Sequence, residues 1–205
     1  MASPPVVIVL AAGAGSRFRA GSHKLAAPLR SGQPVLAATL TRAIATGLEV
    51  VVVTTEALAD LARSSIAARD VLVVPDAGED SGFGMGHSIA AGVGARAHAG
   101  GWLILPGDLP LVRPDSLMRV ALAVAAGYGV VLPTHRRQQG HPVGFGPQCR
   151  DALLRLGGAQ GAAPIAREQK AAGRALEMEL DDPGIVADID TLADLARAER
   201  LLAGR

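Results

Sequence analysis

The chain has 205 residues with 20 Lys and Arg against 19 Asp and Glu, a net charge of +1, and a single cysteine. A net charge this close to zero gives no general field for nucleic acid or a membrane surface, so any polyanion it binds is small and held locally. Cys149 has no partner for an internal disulfide, and one cysteine with five unclustered histidines makes no structural zinc site, so the thiol reads as a free, buried or partly buried one in a reducing cytosol.

Read in order, the elements alternate between strand and helix, the pattern of βαβ units and a mostly parallel sheet. The segment from Met1 to Ser16 mimics a secretory leader, but it lacks a basic start and its apolar run follows Pro4 and Pro5, so it reads as a first strand, Val6 to Leu10, buried on both faces. Pro34 to Thr46 reads as a helix with Leu36, Leu40, Ala43 and Ile44 on one face and Gly47 as its stop. Glu49 to Val53 is a second strand. Thr54 or Thr55 is the expected cap of a helix running to Ala68, and Val71 to Val74 is a third strand. Asp76 to Gly84 is a loop of glycine and acids, followed by a helix from Gly86 to Ala99.

Trp102 to Leu105 is a fourth strand ending at Pro106-Gly107-Asp108. Pro114 opens a helix with Leu117, Val120, Ala121 and Val124 at i, i+3, i+4 and i+7, and Tyr128 to Leu132 is a fifth strand. His141 to Pro147 is rich in glycine and proline, a short helix is expected near Gln148 to Leu156, and a strand near Ala175 to Leu180. A capped helix begins near Thr191, with Leu192, Leu195 and Leu202 as its apolar face. No segment reaches the ~20 apolar residues that a membrane-crossing helix needs.

In an open α/β sheet, ligands bind beyond the carboxyl ends of the strands, so the residues just after each strand carry the information. After the first strand come Ala11, Ala12, Gly13, Ala14, Gly15, Ser16 and Arg17. Glycine backbone there lets N–H groups approach an anion, while Ser16 and Arg17 add a hydroxyl and a guanidinium suited to phosphate. The spacing matches neither the dinucleotide fingerprint nor the P-loop. Only two lysines, Lys24 and Lys170, stand against eighteen arginines, and Lys24 falls in this same loop, where a compact ammonium reaches between phosphate oxygens.

After the fourth strand, Asp108 sits between a glycine turn and Pro110, placed to hold a hard cation, although Asp also makes ordinary turns. Asp188 and Asp190 share one side of an extended segment. There Asp190 or Thr191 caps the following helix, with Asp194 completing a capping box, or a carboxylate serves a cation. Asp76, and the segment holding Met85, His87 and Ser88, are placed to contact a nucleoside or an acceptor. His141 lies at a constrained turn and meets either an acceptor or the backbone.

Leu10-Ala11-Ala12-Gly13, Gly15, Arg17 and Lys24, then Gly84-Met85-Gly86 with Ser88, Gly107-Asp108-Leu109-Pro110, Gly140-His141-Pro142-Val143 and Asp188-Ile189-Asp190-Thr191, follow in an order that resembles the MobA/MocA-like nucleotidyltransferases. Within them the chain is most similar to the molybdenum cofactor cytidylyltransferases. The resemblance implies a single GT-A-like, Rossmann-like three-layer α/β domain over 1–205 with a mostly parallel mixed sheet. It implies transfer of CMP from CTP, with Mg²⁺, to the terminal phosphate of molybdopterin cofactor, in the cytoplasm and with an apo molybdenum hydroxylase as a partner. Leu10, Ala11, Ala12, Gly13, Gly15, Ser16, Arg17, Lys24, Asp76 and Ser88 would bind the nucleotide, the Gly13 to Arg17 loop and Lys24 holding its triphosphate and Asp76 lying near the ribose, while Met85, His87 and His141 would bind the acceptor. Arg17, Lys24 and Asp108 would act in catalysis, and Asp108 with Asp190, or Asp188 in its place, would hold the metal. Ala11-Ala12-Gly13 resembles the CTP users rather than the GTP users. A GTP-dependent or sugar-phosphate or alcohol-phosphate transferase of the same fold, and a non-catalytic cofactor chaperone, are the competing expectations.

Overall fold

The structure, a computed structural model, describes residues 3–13, 23–76 and 82–203, the last two as backbone only. Its centre is an eight-stranded mixed sheet: β1 Val6–Ala11, β2 Val50–Thr54, β3 Val71–Val73, β4 Trp102–Pro106, β5 Val130–His135, β6 Gln138–Gln139, β7 Val143–Phe145 and β8 Ala175–Glu179. The order is β3-β2-β1-β4-β7-β5-β6, with β8 pairing parallel to β5. β1, β2, β3 and β4 run parallel, while β7 enters antiparallel between β4 and β5.

Strand pleating explains why β1 is apolar throughout and β2 up to Thr54: successive residues face opposite layers and both layers are covered. Val7, Val9 and Ala11 pack on one side with Leu36 and Leu40 of α1 (Val35–Ile44), Leu58 of α2 (Glu56–Arg63), and Leu117 and Val120 of α4 (Pro114–Ala125). Ile8 packs on the other side with Ile89 and Val93 of α3 (Met85–Ala95), Leu153 of α5 (Arg150–Leu154) and Ile165 of α6 (Ala163–Ala171). Helix, sheet, helix is the expected three-layer plan. α7 (Leu192–Ala203) returns to the first side through Ala198 and Leu195. Cys149 is buried and donates to the Gly129 carbonyl, and burial pushes its thiol up to about 11, which leaves it protonated and unreactive. Among the described residues no helix is long and apolar enough to cross a membrane.

Several boundaries differ from the sequence reading. α2 stops at Arg63 rather than Ala68, because the Ser64 hydroxyl bonds back to the Leu61 carbonyl and ends the turn. Thr54 belongs to β2, and Thr55 takes the cap position of α2 without a side-chain cap bond. α3 ends at Ala95, four residues early, where Arg96 leaves the helical region and pairs with Glu49 and Asp70. The fifth strand is Val130–His135 rather than Tyr128 to Leu132, set by its register with β8. The glycine- and proline-rich stretch contains β7, whose short apolar run Val-Gly-Phe is too brief to show a period. Ile44 and Leu192 are exposed rather than on the apolar faces of α1 and α7, and the Leu202 side chain lies outside the described residues.

Candidate functional site

A cavity of about 700 Å³ opens at the carboxyl ends of β1 and β4. Its floor is built first by β1, which delivers Leu10, Ala12 and Gly13 to the rim, the Leu10 carbonyl accepting from the Gly107 N–H at 2.8 Å. That bond sets the turn after β4, on which Asp108 stands. His23 reaches back to the end of this strand. Its Nδ1 accepts from the Leu25 N–H at 3.2 Å, which leaves the proton on Nε2 to donate to the Gly13 carbonyl at 2.8 Å. The clasp holds Lys24, at the start of a short 3-10 turn, over the end of β1.

The Lys24 ammonium lies 2.7 Å from Asp108 Oδ2 and 2.6 Å from Asp190 Oδ1. All three side chains are largely buried, with 16%, 13% and 20% of their surface exposed. Burial alone disfavours the Lys24 charge, but the adjacent carboxylates of Asp108 and Asp190 outweigh it and raise its pKa above the ordinary value. Asp190 reaches this point through a chain of backbone contacts. Asp182 is fully buried and accepts from the Arg113 N–H, the Ser116 hydroxyl and the Gly184 N–H at 2.8, 2.7 and 2.9 Å, fixing where the segment leaves β8. The Ile185 carbonyl accepts from the His141 N–H at 2.9 Å, and Ile189 donates to the Asp108 carbonyl at 3.1 Å. Gly140 has to be glycine here, since an added Cβ would press into the Ile185 backbone. Thr191 and Asp194 then form the capping box of α7, each side chain accepting from the other's N–H, at 3.2 and 2.9 Å. The cap thus falls to Thr191 and Asp194, which leaves the Asp190 side chain facing Lys24.

The opposite wall is the start of α3. Gly86 is backed by the segment 157–160, where an added Cβ would come within 2.6 Å of the Gln160 carbonyl. Met85 and Ser88 line the cavity, as does His141, whose Nδ1 is buried without a hydrogen-bond partner and whose pKa burial lowers, keeping the ring neutral. Asp188 lines it too, exposed at the mouth.

Three of the sequence-predicted residues lie elsewhere. Ala11, the last residue of β1, packs into the core. Asp76 is exposed beyond β3 and does not line the cavity. His87 does not line it either: its ring stacks on Phe83, and its Nδ1 accepts from the N–H groups of Gly84 and Gly158 at 3.3 and 3.0 Å, joining the two glycine segments. Gly15, Ser16 and Arg17 lie outside the described residues. His23, Gln138 and Gln139 were not legible as site residues; the only signal for His23 was its position next to Lys24.

The donor set suits a hard divalent cation. Asp108 Oδ1 is buried with no partner, and Asp190 stands across the same ammonium. Among the described residues no three His, Cys, Asp or Glu side chains converge as a closed metal site. Two carboxylates on an open cavity are what Mg²⁺ uses, completing its shell with water and substrate phosphates.

The sequence profile described as MobA-like NTP transferase domain matches residues 7–173. The chain is 32% identical over 196 residues to the bifunctional protein GlmU of Paraburkholderia phytofirmans, covering 95% of this chain and 38% of that protein. It is 35% identical over 161 residues to the phosphoenolpyruvate guanylyltransferase of Nocardia farcinica, covering 76% and 66%. It spans about a third of the length of the GlmU relatives it matches. Among solved structures, Rv0371c of Mycobacterium tuberculosis in complex with manganese superposes with a TM-score of 0.70 at 26% identity, over 98% of this chain and 100% of that one.

Proposed function

The chain belongs to the MobA-like NTP transferase family, and from that premise we propose that it is a Mg²⁺-dependent nucleotidyltransferase that moves CMP from CTP to the terminal phosphate of a molybdopterin-type cofactor. The observation that carries the reaction class is the meeting of Lys24, Asp108 and Asp190 at the floor of a cavity beyond the strand ends. An oxygen of the acceptor phosphate attacks the α-phosphorus, a new P–O bond forms, and the bond to the bridging oxygen breaks with its electron pair leaving on pyrophosphate. A phosphate monoester is already largely ionised near neutral pH, so the site needs no general base; it needs alignment and charge neutralisation.

Asp108 and Asp190 would hold Mg²⁺, with Asp188 at the mouth as the alternate. When bound, the cation offsets charge on the α-phosphate and on departing pyrophosphate. Lys24 and Arg17 would take triphosphate oxygens, the Leu10 to Gly13 strand end would give its backbone to the phosphates, and Ser88 would lie along the nucleotide. Met85 and His141 line the cavity and would face the acceptor. Manganese in the Rv0371c complex supports a divalent cation in this fold. CTP rests on the Ala11-Ala12-Gly13 start. A cytoplasmic site of action, and a molybdenum hydroxylase as recipient of the product, belong to the same reading.

A GTP reading has its own support, because a relative at 35% identity is named as a guanylyltransferase. Thermal shifts with CTP, GTP, ATP and UTP, with and without Mg²⁺, separate the two. The expected result is a Mg²⁺-dependent stabilisation largest for CTP, followed by pyrophosphate release from CTP with molybdenum-loaded acceptor. A larger GTP shift would overturn the base assignment, and no shift with any nucleotide would overturn the reaction class.

A further inference from the structure

We propose that Lys24 is a resident counterion of the cation site, and that the incoming triphosphate draws it off Asp108 and Asp190, so that nucleotide opens the site to the divalent cation. The inference rests on the functional reading above. Its observation is that one ammonium bonds both carboxylates at once, at 2.7 and 2.6 Å, distances at the short end for charge-assisted bonds. A cation bridging the same two carboxylates needs oxygens at ~2.0–2.1 Å and no positive group between them. Ammonium and divalent cation therefore compete for one seat.

Charge accounting gives the direction. Among the described residues the Lys24 ammonium bonds both carboxylates, so a metal ion arriving alone must evict it without bringing an anion to receive it. A triphosphate supplies that anion. The flexible four-carbon stem of lysine lets the head move while the backbone stays. The His23 clasp on Gly13 holds the backbone at Lys24 in place. Asp108 Oδ1, buried without a partner, is the oxygen left ready for the incoming ion. Nucleotide and metal thus bind with positive coupling, each raising the affinity for the other by the same factor.

Direct Mn²⁺ titration followed by electron paramagnetic resonance tests this without turnover. Lys24→Met is expected to bind Mn²⁺, with no nucleotide present, about tenfold or more tightly than wild type, and to keep that gain in high salt, where long-range repulsion is screened. Lys170→Met, which removes an exposed ammonium paired with Glu177, is expected to leave Mn²⁺ affinity unchanged. Equal affinities for wild type and Lys24→Met, or a gain that salt removes, would overturn the proposal.

Wild type gives a second measurement should the variant fold poorly. With only two lysines in the chain, side-chain ¹⁵N labelling resolves the Lys24 ammonium, and its signal is expected to move on adding CTP without metal. A Lys24 signal that stays in place when CTP saturates the protein would overturn the proposal as surely. Pyrophosphate release in a CTP reaction alongside equal Mn²⁺ affinities fails this inference alone. Absence of release from every nucleotide fails the functional reading, while the titration still decides the role of Lys24.

Discussion

Ile189 donates its backbone N–H to the main-chain carbonyl of Asp108, 3.1 Å away. That bond brings the segment before the last helix onto the turn after β4, and with it Asp190 onto the lysine that Asp108 already holds. The carboxylate pair is therefore a product of backbone docking, and its chemistry is sensitive to substitutions that never touch a ligand.

Asp108→Asn keeps the side-chain shape and removes the charge. Pyrophosphate release is expected to fall by about 10²-fold or more, the usual cost of losing one preorganised electrostatic group. The fold is expected to persist, because Asp190 still pairs with Lys24. Wild-type turnover in this variant would remove Asp108 from the site.

Gly140→Ala tests the docking itself. The added methyl group displaces the Ile185 backbone and the bond it accepts from the His141 N–H. Misplacement of about 1 Å at a reacting centre costs on the order of 10²-fold in rate, so kcat is expected to fall steeply in steady-state assays, with Mn²⁺ affinity falling alongside it. Unchanged Mn²⁺ affinity would show that Asp190 is held by other means.

Asp182→Ala removes a fully buried carboxylate with three donors on it and leaves the N–H groups of Arg113 and Gly184 unpaired. Breaking such a buried set costs about 3–5 kcal/mol, a fall in Tm on the order of 10 °C for a domain of this size. Differential scanning calorimetry reads it directly, and a shift below a few degrees would mean that the segment carrying Asp190 is anchored elsewhere.

Asp194 holds the cap of α7, and its carboxyl lies below the ordinary value of 3.8, chiefly because the Thr191 hydroxyl bonds to it. A depressed carboxylate stabilises the fold above the unfolded pKa, and the contribution disappears as pH falls through the folded one. Asp194→Ala is expected to cost ~1 kcal/mol near neutral pH. The gap from wild type should close in acid-melting curves below about pH 4; a gap constant across that range would contradict the capping role.

Much of this protein was legible in its sequence. Continuous apolar runs marked the buried parallel strands, Pro114 opened α4, and Thr191 with Asp194 announced the final cap, because each of these is a local property of chain geometry. The scarcity of lysine singled out Lys24, and glycine turns singled out Asp108. Local pattern also has limits. β7 is only three residues long, so it carries no period, and its antiparallel place between β4 and β5 is a matter of topology.

His87 shows the same limit in the site. Its glycine-flanked position read as ligand-facing, yet only the approach of residues 157–160 from far along the chain decides that its ring nitrogen serves Gly158 instead. The sequence by itself determined the layers, the strand-end loops and the residue types able to neutralise a triphosphate. Only the tertiary structure decided that Asp190 rather than the exposed Asp188 shares an ammonium with Asp108. Contacts between distant segments depend on backbone hydrogen bonds and close approaches at glycine, and these leave no periodic trace in the residues that make them.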